Sequence, residues 1–181
     1  AQESRGLGDV YKRQTQDPPN GFRGERDKLS WDHIRWIRQN WPGKLILKGV
    51  MHADDARLAH EAGADAVIVS NHGGRQLDGC ISPLQALPDV VAAVPAGFPV
   101  MVDGGFRRGS DVLKAVALGA TLVFTGRPQL FGAAVGGHAG IRKVAEIFRS
   151  EISTNMALLG CRTLADVTPD LIAPMRVACP A

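Results

Sequence analysis

A histidine, a Gly-Gly pair and an arginine follow one another in Ser70-Asn71-His72-Gly73-Gly74-Arg75-Gln76-Leu77-Asp78-Gly79. An imidazole can take or give a proton near neutral pH, and a planar guanidinium can grip a carboxylate through two parallel hydrogen bonds. The glycines let a large ligand lie against the backbone. Taken singly, His72 reads as a satisfied structural histidine and Arg75 as a salt-bridge partner. Their joint placement directly after the apolar run Ala66-Val67-Ile68-Val69 points instead to a site built at the end of a strand.

Three more segments repeat that placement. Lys48 ends the run Leu45-Ile46-Leu47, Asp103-Gly104-Gly105-Phe106-Arg107 follows Pro99-Val100-Met101-Val102, and Thr125-Gly126-Arg127-Pro128 follows Leu122-Val123-Phe124. Successive glycines expose backbone N–H groups to an anion, and Arg107 and Arg127 can add charge. Alone, each segment reads as a tight turn or a solvated charge. Their matching places in successive units argue for two phosphate-binding loops beside a lysine cation.

The elements that must hold these loops alternate. Ser30 suits the N-cap of a helix running to Asn40, with Trp31, Ile34, Ile37 and Trp41 at helical spacing, and Pro42-Gly43 ends it. Asp54 and Asp55 suit the start of a second helix and Gly63 its end. A third helix is expected from Ser82 to Val94 and a fourth from a Ser110 cap to Leu118 with Gly119 as its stop; Thr125-Gly126-Arg127-Pro128 turns into helical sequence, and a longer helix runs from Gly140 to Leu158. The strands are apolar without alternation, as expected of a parallel sheet covered on both faces. No Gly-x-Gly-x-x-Gly opens a helix, which disfavours a dinucleotide-binding doubly wound sheet. The fold expected is α/β, a (β/α)8 TIM barrel of which residues 29–181 form the C-terminal half, about four βα units; complete barrels run to ~250 residues.

Residues 1–28 are expected to form an irregular N-terminal tail. Ala1 to Gln14 show no clear period, and they are set aside as partly non-native. Apolar content of 45% and charged content of 22% suit a soluble globular domain, and the net charge of +3 comes without a Lys/Arg block, so no nucleic-acid partner is expected. Cys80, Cys161 and Cys179 have neither even count nor Cys-x-x-Cys spacing, which argues against a disulfide framework or a metal site. His33, His52, His60 and His138 lack ligand spacing and read as structural or solvated. The three tryptophans read as helix packing.

Lys48-Gly49, the Ser70–Asp78 block, Asp103-Gly104-Gly105-Phe106-Arg107-Arg108-Gly109 and Gly126-Arg127-Pro128 together resemble the FMN-dependent 2-hydroxy acid oxidase and dehydrogenase family, from about Leu29 to Ile172. That family includes glycolate oxidase, L-lactate dehydrogenase and mandelate dehydrogenase. The resemblance implies that FMN is the cofactor and that a small L-2-hydroxy acid is oxidised to the 2-oxo acid. It implies His72 as catalytic base, Arg75 as clamp on the substrate carboxylate and Lys48 beside flavin N1 and O2. It implies Ser70 at the flavin edge, Asp103 on ribityl hydroxyls, and Gly104, Gly105, Arg107, Gly126 and Arg127 around the phosphate. Phe106 belongs to the same cofactor-binding loop, although a smaller apolar residue is common there in the family. The electron acceptor is left open among oxygen, a quinone and a cytochrome. A homo-oligomer is expected when the barrel is complete, and the setting is cytoplasmic or peripheral on the inner membrane. The rival readings are another FMN barrel, such as a type 2 isopentenyl diphosphate isomerase-like enzyme, and a non-catalytic barrel fragment. In the family a tyrosine and a second arginine come from the other half-barrel, and the tyrosine here, Tyr11, falls in the irregular tail.

Overall fold

The structure, a computed structural model, describes residues 29–173; the expected N-terminal tail, Tyr11 and Cys179 lie outside the described residues. Helix α1 (Trp31–Asn40) leads into strand β1 (Ile46–Val50), helix α2 (Ala53–Glu61) and strand β2 (Ala66–Val69). Helix α3 (Pro83–Ala92), strand β3 (Val100–Val102), helix α4 (Gly109–Ala117), strand β4 (Leu122–Val123) and helix α5 (Arg127–Leu159) follow. The strands pair in parallel in the order β1-β2-β3-β4, so each βα unit adds one strand beside the last. This is the α/β arrangement expected of half a barrel.

The core lies between the central strands and their helices. Val67, Val69 and Val102 are wholly buried, as are Leu87 and Val90 of α3. Each such side chain contributes about 1.5–3 kcal/mol of transfer free energy. Ala56 and Ala59, one helical turn apart, bring α2 close to the sheet with no exposed surface of their own. On its other side α4 presents Leu113 and Ala117 to a second cluster with Cys161 and Val167.

Several expected boundaries shift, each for a local reason. Lys48 does not end its strand. Gly49, at φ +98°, forms a bulge between Lys48 and Val50, and pairing resumes at Val50–Val69. The extra residue re-aims Lys48. Helix α4 is capped at Arg108 rather than Ser110, because the Asp111 carboxylate accepts the backbone N–H groups of Arg107 and Arg108 at 3.0 Å each. Helix α2 takes His52 as its N-cap, whose Nδ1 accepts the Asp54 N–H at 3.2 Å. Ser30 caps α1 as expected, together with His33, which is buried and whose Nδ1 accepts the Ser30 N–H at 3.1 Å.

The helical sequence expected after Pro128 and the helix expected from Gly140 form two arms of one element. Residues 127–135 form its first arm, and Gly136 (φ −145°) and Gly137 (φ +54°) break the helix before a second arm continues to Leu159. The arms meet at Gly132, where a methyl would stand 2.7 Å from the Gly140 carbonyl oxygen. The expectation of strands covered on both faces holds for β2 and β3 but not for β1 and β4. Ile46 is 47% and Leu122 49% exposed, because each lies on an outer strand of the four-stranded sheet.

At the N-terminal ends of the strands one carboxylate gathers several donors. Asp65 takes Lys44 Nζ at 2.7 Å, Arg38 Nη1 at 3.0 Å and the Leu45 backbone N–H at 2.9 Å. The Lys44 hydrogen bond, followed by that of the Leu45 N–H, lowers the Asp65 pKa to about 2. Arg38 also donates to the carbonyls of Trp41 and Gly43, which ties α1 to the start of β1.

Candidate functional site

The C-terminal strand ends converge on two adjoining cavities that share Lys48 and His72. From β1, the bulge at Gly49 places Lys48 Nζ 3.1 Å from Ser70 Oγ and 3.3 Å from Asp103 Oδ2. Three successive strands thus meet at one ammonium group. Ser70 ends β2 with 3% exposure, so its hydroxyl is fixed by the sheet rather than by solvent. Asp103 is held in line by its own N–H, which donates to the Val69 carbonyl at 3.0 Å.

The loop after β2 turns sharply at His72. Its φ of +57° is the only positive φ at a non-glycine residue among the described residues. Such a conformation costs about 1–3 kcal/mol and persists only where the surroundings over-determine it. Here the Ser70 hydroxyl accepts the His72 N–H at 3.1 Å, the Asn71 carbonyl accepts the Gly74 N–H at 3.1 Å, and the His72 carbonyl accepts the Arg75 N–H. The turn holds the imidazole on the wall of both cavities and leaves Arg75 exposed at the rim of one.

The loops after β3 and β4 form the other wall. Gly104 (φ +98°) and Gly105 (φ +88°) occupy the left-handed region that favours glycine, and a methyl built on Gly105 or Gly126 would meet nothing within 4 Å. The Gly105 and Gly126 backbones face open space, a cradle with room for a bound anion, whereas a methyl on Gly104 would stand 3.1 Å from Asn71 Oδ1 and from Pro83. Arg107 stands beside it, its guanidinium 5.9 Å from the centre of the Phe131 ring. Arg127, the first residue of α5, donates from Nη2 to the Gly73 carbonyl at 2.8 Å and bridges the cradle wall to the His72 turn.

The polar inventory fits a cofactor with ribityl hydroxyls and a phosphate. Asp103 Oδ1 and Asn71 Oδ1 are buried with no hydrogen-bond partner among the described residues. An acceptor left in that state costs about 1–3 kcal/mol unless a ligand supplies a donor. A lysine donor, a serine hydroxyl and an aspartate acceptor beside a glycine cradle match the hydrogen-bonding groups of FMN.

Every residue singled out in the sequence reaches this region. Lys48, His72, Arg75, Asp103, Gly104, Gly105, Phe106, Arg107, Gly126 and Arg127 line the cavity of ≈ 220 Å³. Ser70 lines its neighbour of ≈ 490 Å³, an apolar space walled by Met51, Leu77 and Ile81. Phe106 touches the cavity wall, but its ring is 4% exposed and belongs to the hydrophobic core. The sequence reading missed Asn71 as a polar contact and the Gly73 carbonyl as an anchor. Their position inside the Ser70–Arg75 block was the available signal.

A model of the family described as FMN-dependent dehydrogenase matches residues 3–174. The L-lactate oxidase of Nostoc sp. is 51% identical over 139 residues, which cover 77% of this chain and 38% of that protein. Glycolate oxidase 3 of Arabidopsis thaliana is 46% identical over 167 residues, 92% of this chain and 45% of that protein. Among solved structures, a monotopic membrane protein, (S)-mandelate dehydrogenase, superposes with a TM-score of 0.79 at 44% identity, covering 83% of this chain and 40% of the other. The chain therefore spans less than half the length of the relatives it matches.

Proposed function

The chain belongs to the FMN-dependent dehydrogenase family, and from that premise we propose that it forms the base, carboxylate-clamp and phosphate-binding part of an enzyme that oxidises a small L-2-hydroxy acid to the 2-oxo acid. The observation that carries the reading is the meeting of Lys48, Ser70 and Asp103 within 3.3 Å, next to a strained His72 on the same cavity wall. When bound, FMN supplies the acceptor for the two electrons that leave the substrate carbon.

His72 accepts the proton of the substrate hydroxyl. Its imidazole is presented by a turn that the Ser70 hydroxyl pins at the backbone, so base and strand end move as one body. Arg75, exposed at the rim, takes the substrate carboxylate in a bidentate grip and orients the hydroxyl toward His72. Lys48 holds a positive charge where negative charge grows on reduction, with Ser70 Oγ and Asp103 Oδ2 keeping its ammonium in place. Asp103 Oδ1 accepts from a ribityl hydroxyl. Gly104, Gly105 and Gly126 approach the phosphate with their backbones, and Arg107 and Arg127 neutralise it.

The apolar wall of Met51, Leu77 and Ile81 beside His72 suits a hydrophobic substrate tail, such as a methyl or phenyl group. The relatives are a lactate oxidase, a glycolate oxidase and a mandelate dehydrogenase, and they support the hydroxy acid class over the other FMN barrels. The electron acceptor is oxygen, a quinone or a cytochrome, and the complete enzyme is a homo-oligomer. Among the described residues no helix is long and apolar enough to cross a membrane. The proposed setting is cytoplasmic or peripheral on the inner membrane, the latter suggested by the monotopic mandelate dehydrogenase. The test is anaerobic mixing of the FMN-loaded protein with L-lactate or (S)-mandelate. Bleaching of the flavin absorbance supports the proposal, and an unchanged spectrum with every hydroxy acid tried rejects it.

A further inference from the structure

Arg127 stands at two places at once. It opens α5 beside Gly126 in the cradle, and its Nη2 donates to the Gly73 carbonyl at 2.8 Å, one residue beyond His72. The contact is tight on the loop side, since a methyl on Gly73 would come within 2.7 Å of the same nitrogen. A guanidinium is a rigid fork of five N–H donors. With Nη2 engaged by Gly73, the fork has further donors for an anion in the cavity that both residues line.

We propose that Arg127 is a positioning residue that couples phosphate in the cradle to the shape of the His72 turn. An anion bound between Gly105, Gly126 and the guanidinium holds the fork still, and the fork in turn holds the Gly73 carbonyl. The turn His72–Gly74 then keeps the positive φ that aims the imidazole into the cavity. The cofactor's phosphate end thereby organises the catalytic base from the opposite wall. Arg107 differs from Arg127 in this respect, because its guanidinium lies over Phe131. The inference rests on the phosphate-cradle reading proposed above.

The experiment is amide hydrogen exchange on the 181-residue chain, titrated separately with inorganic phosphate and with FMN. The readout is the Gly74 and Arg75 amides, whose bonds to the Asn71 and His72 carbonyls close the turn. At saturation their exchange should slow roughly 5- to 10-fold, within the ordinary range of coupling between two sites. Arg127→Lys should keep much of the phosphate affinity but lose the protection, since an ammonium cannot span two acceptors. Arg107→Met should weaken binding yet show full protection once saturated. Arg127→Gln, which removes the charge and leaves a single amide donor group, should likewise leave the turn unprotected and serves if the lysine variant does not fold. Protection that survives in Arg127→Lys, or that is absent from the saturated wild-type chain, overturns the coupling and leaves the cradle standing. Failure of both phosphate and FMN to bind overturns the cradle and the coupling together.

Discussion

Two aspartates sit at opposite ends of the sheet and lead opposite lives. Asp65, before β2, has its carboxylate engaged by a lysine, an arginine and a backbone N–H. Asp103, after β3, shares a lysine through one oxygen and has the other buried with no partner among the described residues. The same side chain is used as a clamp at one end and kept poised at the other. The N-terminal ends of the strands are satisfied and hold the units together. The C-terminal ends carry polar groups unsatisfied by the fold itself, which is what a binding site requires. This division follows from parallel strands, whose outgoing loops all emerge on one side.

The largest effect expected at the poised end comes from His72. In the FMN-loaded holoenzyme, His72→Ala should slow flavin reduction by hydroxy acid roughly 10²- to 10⁴-fold, the usual span for a general base. FMN affinity should stay near its original value, because the phosphate cradle is untouched. Stopped-flow reduction traces check this, and unchanged kinetics remove His72 from the mechanism. Arg75→Met comes next. Loss of a charged hydrogen-bonding partner costs about 1.5–3 kcal/mol, so kcat/KM should fall roughly ten- to hundredfold, with substrate affinity carrying most of the loss.

The clamped end should respond to acid rather than to substrate. The Asp65 pKa is about 2, below its ordinary value of 3.8. A carboxylate with a lowered folded pKa stabilises the fold above its unfolded pKa, and that stabilisation fades as pH falls from near 4 toward 2. Asp65→Asn should therefore lower the thermal midpoint at neutral pH and flatten its decline across that acid window. A pH series of melting curves gives the answer, and parallel acid profiles for both proteins would deny Asp65 this role.

Most of the site was legible because parallel βα units put each strand end next to its loop in the sequence. Ser70, His72 and Arg75 could be found as a block, and the two glycine loops by their matching positions. What local pattern could not show was depth and direction. The bulge at Gly49 aims Lys48 at Ser70 and Asp103, and no periodicity encodes that. The Arg127–Gly73 bond joins positions 54 residues apart, which only the side-by-side packing of successive βα units brings together. The helical sequence after Pro128 and the helix from Gly140 could both be read, but not that they are two arms of one element touching at Gly132, since that contact is between backbones and leaves no periodic signal. A single aspartate before a strand, such as Asp65, looks like a turn residue until its donors fold around it.

The contrast between the two carboxylates can be put to one measurement: FMN titration of the 181-residue chain and of its Asp103→Ala and Asp65→Asn variants, followed by flavin fluorescence, with a melting curve for each apo protein. The account predicts that Asp103→Ala weakens FMN binding about tenfold, as loss of a charged acceptor does, without lowering the apo melting midpoint. It predicts that Asp65→Asn lowers the midpoint and leaves FMN affinity within error. Equal losses of affinity in both variants, or an Asp103→Ala chain that binds FMN as tightly as the original, would contradict it.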